Sequence, residues 1–213
     1  MKQFLAESDK QRIIETVKKV EQSTSGEIVP MVVPASYHYP TAAMIGGAAL
    51  GIPTALLFTR LLGALFWLGT NNIWIFLGAE CVAFVIWHAI VNRVPWLKRL
   101  FVSAREMADE VDEAAFVHFY KHGLHKTREQ TGILIFISVF ERKVVMLADS
   151  GINEKVAGGQ WDEIVAGLVS GIKAGRQVDA ICNAVEKTGA ILARFFPVRP
   201  DDTDELENLI VEP

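Results

Sequence analysis

Residues 131–153 read TGILIFISVFERKVVMLADSGIN. Two runs of β-branched and aliphatic residues, 133–139 and 144–148, flank the charged turn Glu141-Arg142-Lys143. Short apolar runs closed by turn residues read as buried strands, so the stretch predicts a β-hairpin that ends on Asp149-Ser150-Gly151. Upstream of it, residues 105–121 set Met107, Val111, Ala115, Phe116 and Phe119 on one helical side, with Gly123 placed to end the helix. Downstream, residues 161–173 and 178–196 repeat apolar positions at helical spacing, and Pro197 stops the second of these helices. Near the start, Ser8 and Gln11 are spaced as a capping box for a helix whose apolar face is Ile13, Ile14, Val17 and Val20. Residues 26–33, GEIVPMVV, follow as a strand. The closing RPDDTDELENLIVEP is acidic and is expected to be loosely held.

Between these pieces lies a different kind of sequence. Residues 42–69 are apolar except for Arg60, and residues 73–91 are apolar except for Glu80 and His88. Each reaches the ~20 residues that a helix needs to cross ~30 Å of hydrocarbon. Arg60 and Glu80 stand ten residues either side of Thr70. A tight hairpin turning there sets them level, ~15 Å deep, where an unpaired charge costs at least ~2.5–3.5 kcal/mol. The expectation is an Arg60–Glu80 pair within the hairpin or between hairpins. The alternative is a protonated Glu80 with Arg60 reaching to the interface. Ala43, Gly47 and Gly51 repeat at small-xxx-small spacing, which admits a close helix. Trp67 and Trp74 bracket the turn, Trp87 and Trp96 lie toward the other face, and Pro53 predicts a kink. Arg93, Lys98 and Arg99 follow the second helix while the turn is uncharged, which places both termini in the cytoplasm.

Composition narrows the function classes. The chain has 213 residues, 51% of them hydrophobic, and a net charge of −4. It has neither a basic arm nor an RNA-binding aromatic signature, so no nucleic-acid partner is expected. Two distant cysteines in apolar surroundings, Cys81 and Cys182, read as reduced thiols. The opening MKQFLAESDKQR lacks the apolar core of a signal peptide, so membrane attachment is expected through the internal segment.

The order is then α-β-(membrane hairpin)-α-β-β-α-α, with the hairpin in the crossover between two parallel strands. Residues 1–41 and 100–198 form the two parts of one domain, 42–99 the hairpin with its basic flank, and 199–213 the acidic tail. Strand direction gathers Glu27 and Asp149, with Ser25 and Thr131, at the end of the sheet away from the membrane. Arg142 and Lys143 then join Arg93, Lys98 and Arg99 toward the lipid headgroups. Two carboxylates among hydroxyls suit Ca²⁺ or Mg²⁺, or a metal-assisted phosphoester hydrolysis; the plainer reading is a turn cap at Asp149 and a local ion pair at Glu27. No DxDxT, cysteine-phosphatase or Ser-His-Asp pattern supplies a nucleophile. His118 and His122 at i, i+4, with His125 close behind, are either a metal set or ordinary surface histidines, and Phe119 excludes an HExxH motif. Cys81 and His88 read as packing residues.

The run Thr24-Ser25-Gly26-Glu27-Ile28, the segment 132–149 with its Glu141-Arg142-Lys143 turn, Gly151-Ile152, Trp161 and Phe196-Pro197 together resemble the TPM-domain family. More narrowly, they are similar to its bacterial membrane branch, with two transmembrane helices inside the domain. The resemblance implies a small α/β/α sandwich around a mixed sheet. Its soluble members are linked to acid phosphatase activity, calcium binding and photosystem repair; a eukaryotic relative is an auxiliary channel subunit. Members of the bacterial branch are often encoded beside LemA-type membrane proteins, which makes such a protein an expected partner. Two functions follow as expectations. One is a module anchored in the bacterial inner membrane and facing the cytosol, which self-associates or scaffolds another membrane protein. The other is a divalent-cation-dependent phosphatase acting through Glu27 and Asp149.

Overall fold

The computed structural model describes residues 4–69, 71–156, 159–198 and 205–212. Thr70 of the expected turn and residues 199–204 and 213 of the expected tail lie outside the described residues. The element order is α1 (Glu7–Glu21), β1 (Glu27–Val33), α2 (Pro40–Leu65), α3 (Ile73–Arg93), α4 (Pro95–Arg99), α5 (Ala104–Lys121), β2 (Gly132–Ser138), β3 (Lys143–Ala148), α6 (Ser150–Asn153), α7 (Gln160–Lys173), α8 (Gln177–Phe195) and β4 (Ile210–Val211). They divide into two compact units, residues 1–36 with 108–213, and residues 37–107.

The first unit is an α/β domain on a mixed sheet of order β3-β2-β1-β4. β1 pairs parallel with β2, and β3 returns antiparallel to β2. Both β1 and β2 are buried along their full length, as strands covered on two faces must be. Ile28, Val32, Ile133, Ile135 and Ile137 meet α1, α7 and α8 on one face. Val29, Met31, Val33, Leu134 and Phe136 meet Val111, Ala115 and Phe119 of α5 on the other. Full burial of each such side chain contributes about 1.5–3 kcal/mol, which is why the alternating strands hold their register.

Three local expectations change. α1 begins at Glu7, and its first turn is closed by Asp9, whose carboxylate accepts the Ala6 N–H at 2.9 Å; Ser8 lies inside that turn. Phe116 is 58% exposed and tilts against Tyr120 at 4.7 Å, so the buried stripe of α5 is narrower than the apolar count suggests. The end of the chain is anchored as well. Ile210 and Val211 form a fourth strand parallel to β1, Ile210 is buried, and the Glu212 N–H donates to Val32 O at 3.0 Å.

The second unit is a helical hairpin. α2 and α3 are both long and apolar enough to cross a membrane. Asn72 caps α3 by accepting the N–H groups of Trp74 and Ile75, and Ser103 accepts the Glu106 N–H at the start of α5. Along α2, Ala43, Gly47, Gly51, Ala55, Thr59 and Gly63 form a buried row at i, i+4. Added β-carbons would lie 3.1 Å from the Phe84 ring at Gly47 and 3.3 Å from the Phe84 backbone nitrogen at Gly51. The small-residue face thus admits α3 of the same hairpin. Trp87 turns inward and donates to Thr54 Oγ1 at 3.0 Å, while Trp67, Trp74 and Trp96 are exposed.

Candidate functional site

The register places Glu27 opposite Gly132 on one side, and Asp149, whose N–H donates to Gly132 O at 2.9 Å, on the other. The two acids therefore share one end of the sheet in one row, two strand spacings or roughly 10 Å apart. A β-carbon at Gly132 would collide with the Leu124 backbone carbonyl, so that carbonyl covers the row between them. Glu27 is buried and accepts the Glu205 N–H at 3.4 Å. Asp149 caps α6, its Oδ1 accepting Ser150 N–H at 2.7 Å and the Ser150 hydroxyl at 3.3 Å.

The neighbouring hydroxyls are mostly occupied in closing the fold. Thr24 Oγ1 donates to Phe196 O at 2.8 Å and accepts the Gly26 N–H at 3.1 Å. Thr131 Oγ1 donates to Ser25 O at 3.0 Å. Gly26 lies beside them, and a β-carbon there would stand 2.8 Å from a terminal methyl of Leu192 of α8. Two buried oxygens are left without a hydrogen bond, Asp149 Oδ2 and Ser25 Oγ.

Glu141 was expected as part of a charged turn. The structure buries it to 1% exposure, where it accepts the Ser36 N–H at 3.0 Å and the hydroxyl of Ser138. It ties the exit of β1 to the β2–β3 turn, while Arg142 takes a left-handed φ of 54° beside it. Arg93 and Arg99 end α3 and α4. Lys98 donates to His38 O at 2.6 Å and Asn92 Oδ1 at 3.1 Å, and burial holds its ammonium below the ordinary value. Lys98 thus clamps the two ends of the hairpin.

Within the hairpin, Arg60 and Glu80 stand apart. Glu80 Oε1 lies 3.1 Å from a β-carbon added at Gly51, and Gly51 is nine residues, about 13 Å of helix rise, from Arg60. Glu80 Oε2 is buried without a partner, and Arg60 is exposed. The reason is register: Gly51 beside Phe84 centres the hairpin nearer Trp67 than Thr70. His88 stacks on Phe84, and Cys81 and Cys182 are unbridged thiols.

The histidines do converge, with a different third member. His118, His122 and Glu212 bring potential ligand atoms within 4.8 Å of one another. His125 instead tilts against Tyr120 at 4.7 Å. Spacing revealed the two imidazoles; nothing local revealed that Glu212 joins them.

Together these features define an α/β/α domain whose first crossover carries a long apolar helical hairpin. Residues 93–191, just under half of the chain, match the family model described as TPM domain. The NMR structure of BA42 protein from the psychrophilic bacterium Bizionia argentinensis is similar at a TM-score of 0.61 and 20% identity, covering 100% of this chain and 98% of that one. At that identity the likeness shows the fold. No curated protein matches.

Proposed function

We propose that this protein is a TPM module fastened to a lipid bilayer by α2 and α3, and that it acts by holding another membrane component. The observation that carries the membrane part is exposure. In the most apolar windows only 33% of α2 and 6% of α3 is buried, and Leu57, Leu61, Leu65, Val82 and Val85 are all at least 60% exposed. Core helices of a water-soluble domain bury such residues, and apolar patches beyond a few hundred Å² mark interaction or membrane surfaces. Hydrocarbon is the solvent that suits them. Arg93, Lys98 and Arg99 flank one end of the hairpin, which favours a bacterial inner membrane with both termini cytoplasmic.

Glu80 supports the assembly part. One of its carboxylate oxygens is buried and unpartnered, whereas Arg60 is exposed and lies five residues from the end of α2, within reach of the headgroups for a long side chain. An intramembrane acid left over by its own hairpin is a point of attachment for a second copy or a different membrane protein. Self-association through the small-residue row loses support, because α3 already fills that row. Detergent-extracted protein should run as a defined oligomer or retain a partner, and Glu80→Leu should release it. Monomers alone in several mild detergents would sink this reading.

The phosphatase alternative rests on the unpartnered Asp149 Oδ2 and on the family model's label, which names a phosphatase. It requires that the purified chain hydrolyse a generic phosphomonoester and that Asp149→Asn abolish the activity.

A further inference from the structure

We propose that His118, His122 and Glu212 form a binding site for a first-row divalent transition ion of the Zn²⁺ class, which staples the C-terminal strand to α5. The inference is independent of the membrane reading and concerns the first unit alone.

The argument starts from α5. Its inner stripe of Val111, Ala115 and Phe119 lies on the sheet, and His118 and His122, one turn apart, follow the edge of that stripe. Their rings stack at 5.7 Å with 13° between planes, and His118 also stacks on Phe136 at 5.7 Å. Packing therefore holds the imidazoles in one orientation before any ion arrives. His118 Nδ1 and His122 Nε2 are buried and have no hydrogen-bond partner. Buried polar atoms are satisfied in the great majority of cases, so two unsatisfied nitrogens side by side call for a partner.

The third donor comes from the far end of the chain. β4 lies along β1, and the Glu212 N–H bonded to Val32 O fixes where its carboxylate falls. Glu212 Oε1 lies 3.7 Å from His118 Nδ1. Ligand atoms around a tetrahedral ion at ~2.0–2.2 Å stand roughly 3.4 Å apart, so rotamer-scale closure is enough. Lys121 Nζ, 3.6 Å from the same oxygen, belongs to a side chain 60% exposed and yields to a dication at little loss.

The donor set selects the ion. Two imidazoles and one carboxylate suit zinc and its first-row neighbours, whereas Ca²⁺ and Mg²⁺ prefer oxygen alone. Three protein ligands leave a fourth position for water. His122 also lines a cavity of about 210 Å³ with Glu205, Glu207, Leu206 and Ile210, which provides room there. The structural consequence is larger than the site. A two-residue strand is a weak attachment by itself, and an ion bound to Glu212 would hold it against the helix.

The test uses the full chain in detergent, stripped with a chelator, then titrated with Zn²⁺ and separately with Co²⁺. One equivalent should bind, Co²⁺ should develop the visible absorption of a four- or five-coordinate site, and amide exchange over residues 205–212 should slow on binding. His122→Ala and Glu212→Gln should each weaken binding at least tenfold and leave the exchange of these residues insensitive to metal. Glu212→Gln keeps the backbone pairing of β4, so it separates loss of a ligand from loss of fold. Cys81→Ser should bind as the parent does. No binding by the parent chain, or undiminished binding in both ligand variants, would overturn the proposal.

Discussion

At the scale of single residues, burial rather than residue type decides roles. Glu141 stands in a run that reads as a solvated turn, yet its carboxylate accepts from Ser36 and Ser138 in the interior. Glu141→Ala strands both donors and should destabilise the domain by about 2–3 kcal/mol, read as a lower melting temperature by circular dichroism. His118 gives the pH dependence of the metal-free chain. Burial is the largest influence and lowers its pKa from the ordinary 6.5; Glu212 opposes this, while Lys121 and His122 add to it. A base with a lowered folded pKa is neutral in the fold, so the unfolded chain binds the extra proton. Stability is then complete above 6.5 and declines as pH falls below it toward the folded value. Melting temperatures measured with chelator between pH 7.5 and 5 should drop, and His118→Gln should flatten that drop. Both facts escaped the sequence because each depends on burial that the tertiary fold creates.

At the scale of elements, strand and helix spans were legible because their signals are local. Short apolar runs mark β1 and β2, and periodic stripes mark α1, α5, α7 and α8. β4 was not legible, since two residues in an acidic tail carry no period. The hairpin shows where element reasoning stops. Two apolar spans are evident, but a turn centred on Thr70 does not fix their register, and within one hairpin Arg60 and Glu80 are not level. Packing sets the register through the small residues of α2. Gly51→Leu should therefore wedge α2 from α3, since even a β-carbon there stands 3.1 Å from Glu80 and 3.3 Å from Phe84. The variant should lose the compact gel migration of the hairpin, while Ile52→Leu, on the exposed side, should not.

At the scale of the whole molecule, the chain carries a folded domain with an apolar hairpin inserted between β1 and β2. The proposed topology makes a direct prediction. With Cys81 and Cys182 replaced by serine, a cysteine at Asn71 should react with an impermeant thiol reagent from outside intact cells. A cysteine at Glu154, exposed on the domain, should react only after the membrane is opened. Labelling of both positions from outside would reverse the orientation. The end of the sheet with Asp149 and the α5 edge with the histidines are separate places on the same unit, so a variant at Asp149 should leave metal binding at the histidines unaffected.

What the amino-acid order determined alone was everything that depends on near neighbours: the strands, the amphipathic helices, two spans long enough for a bilayer, and a mixed α/β sheet. Tertiary structure decided which polar atoms remain unpaired. Glu212 reaches His118 across 94 residues of chain, and Glu80 settles against Gly51, because chain closure and side-chain packing, neither of them periodic along the chain, set those distances.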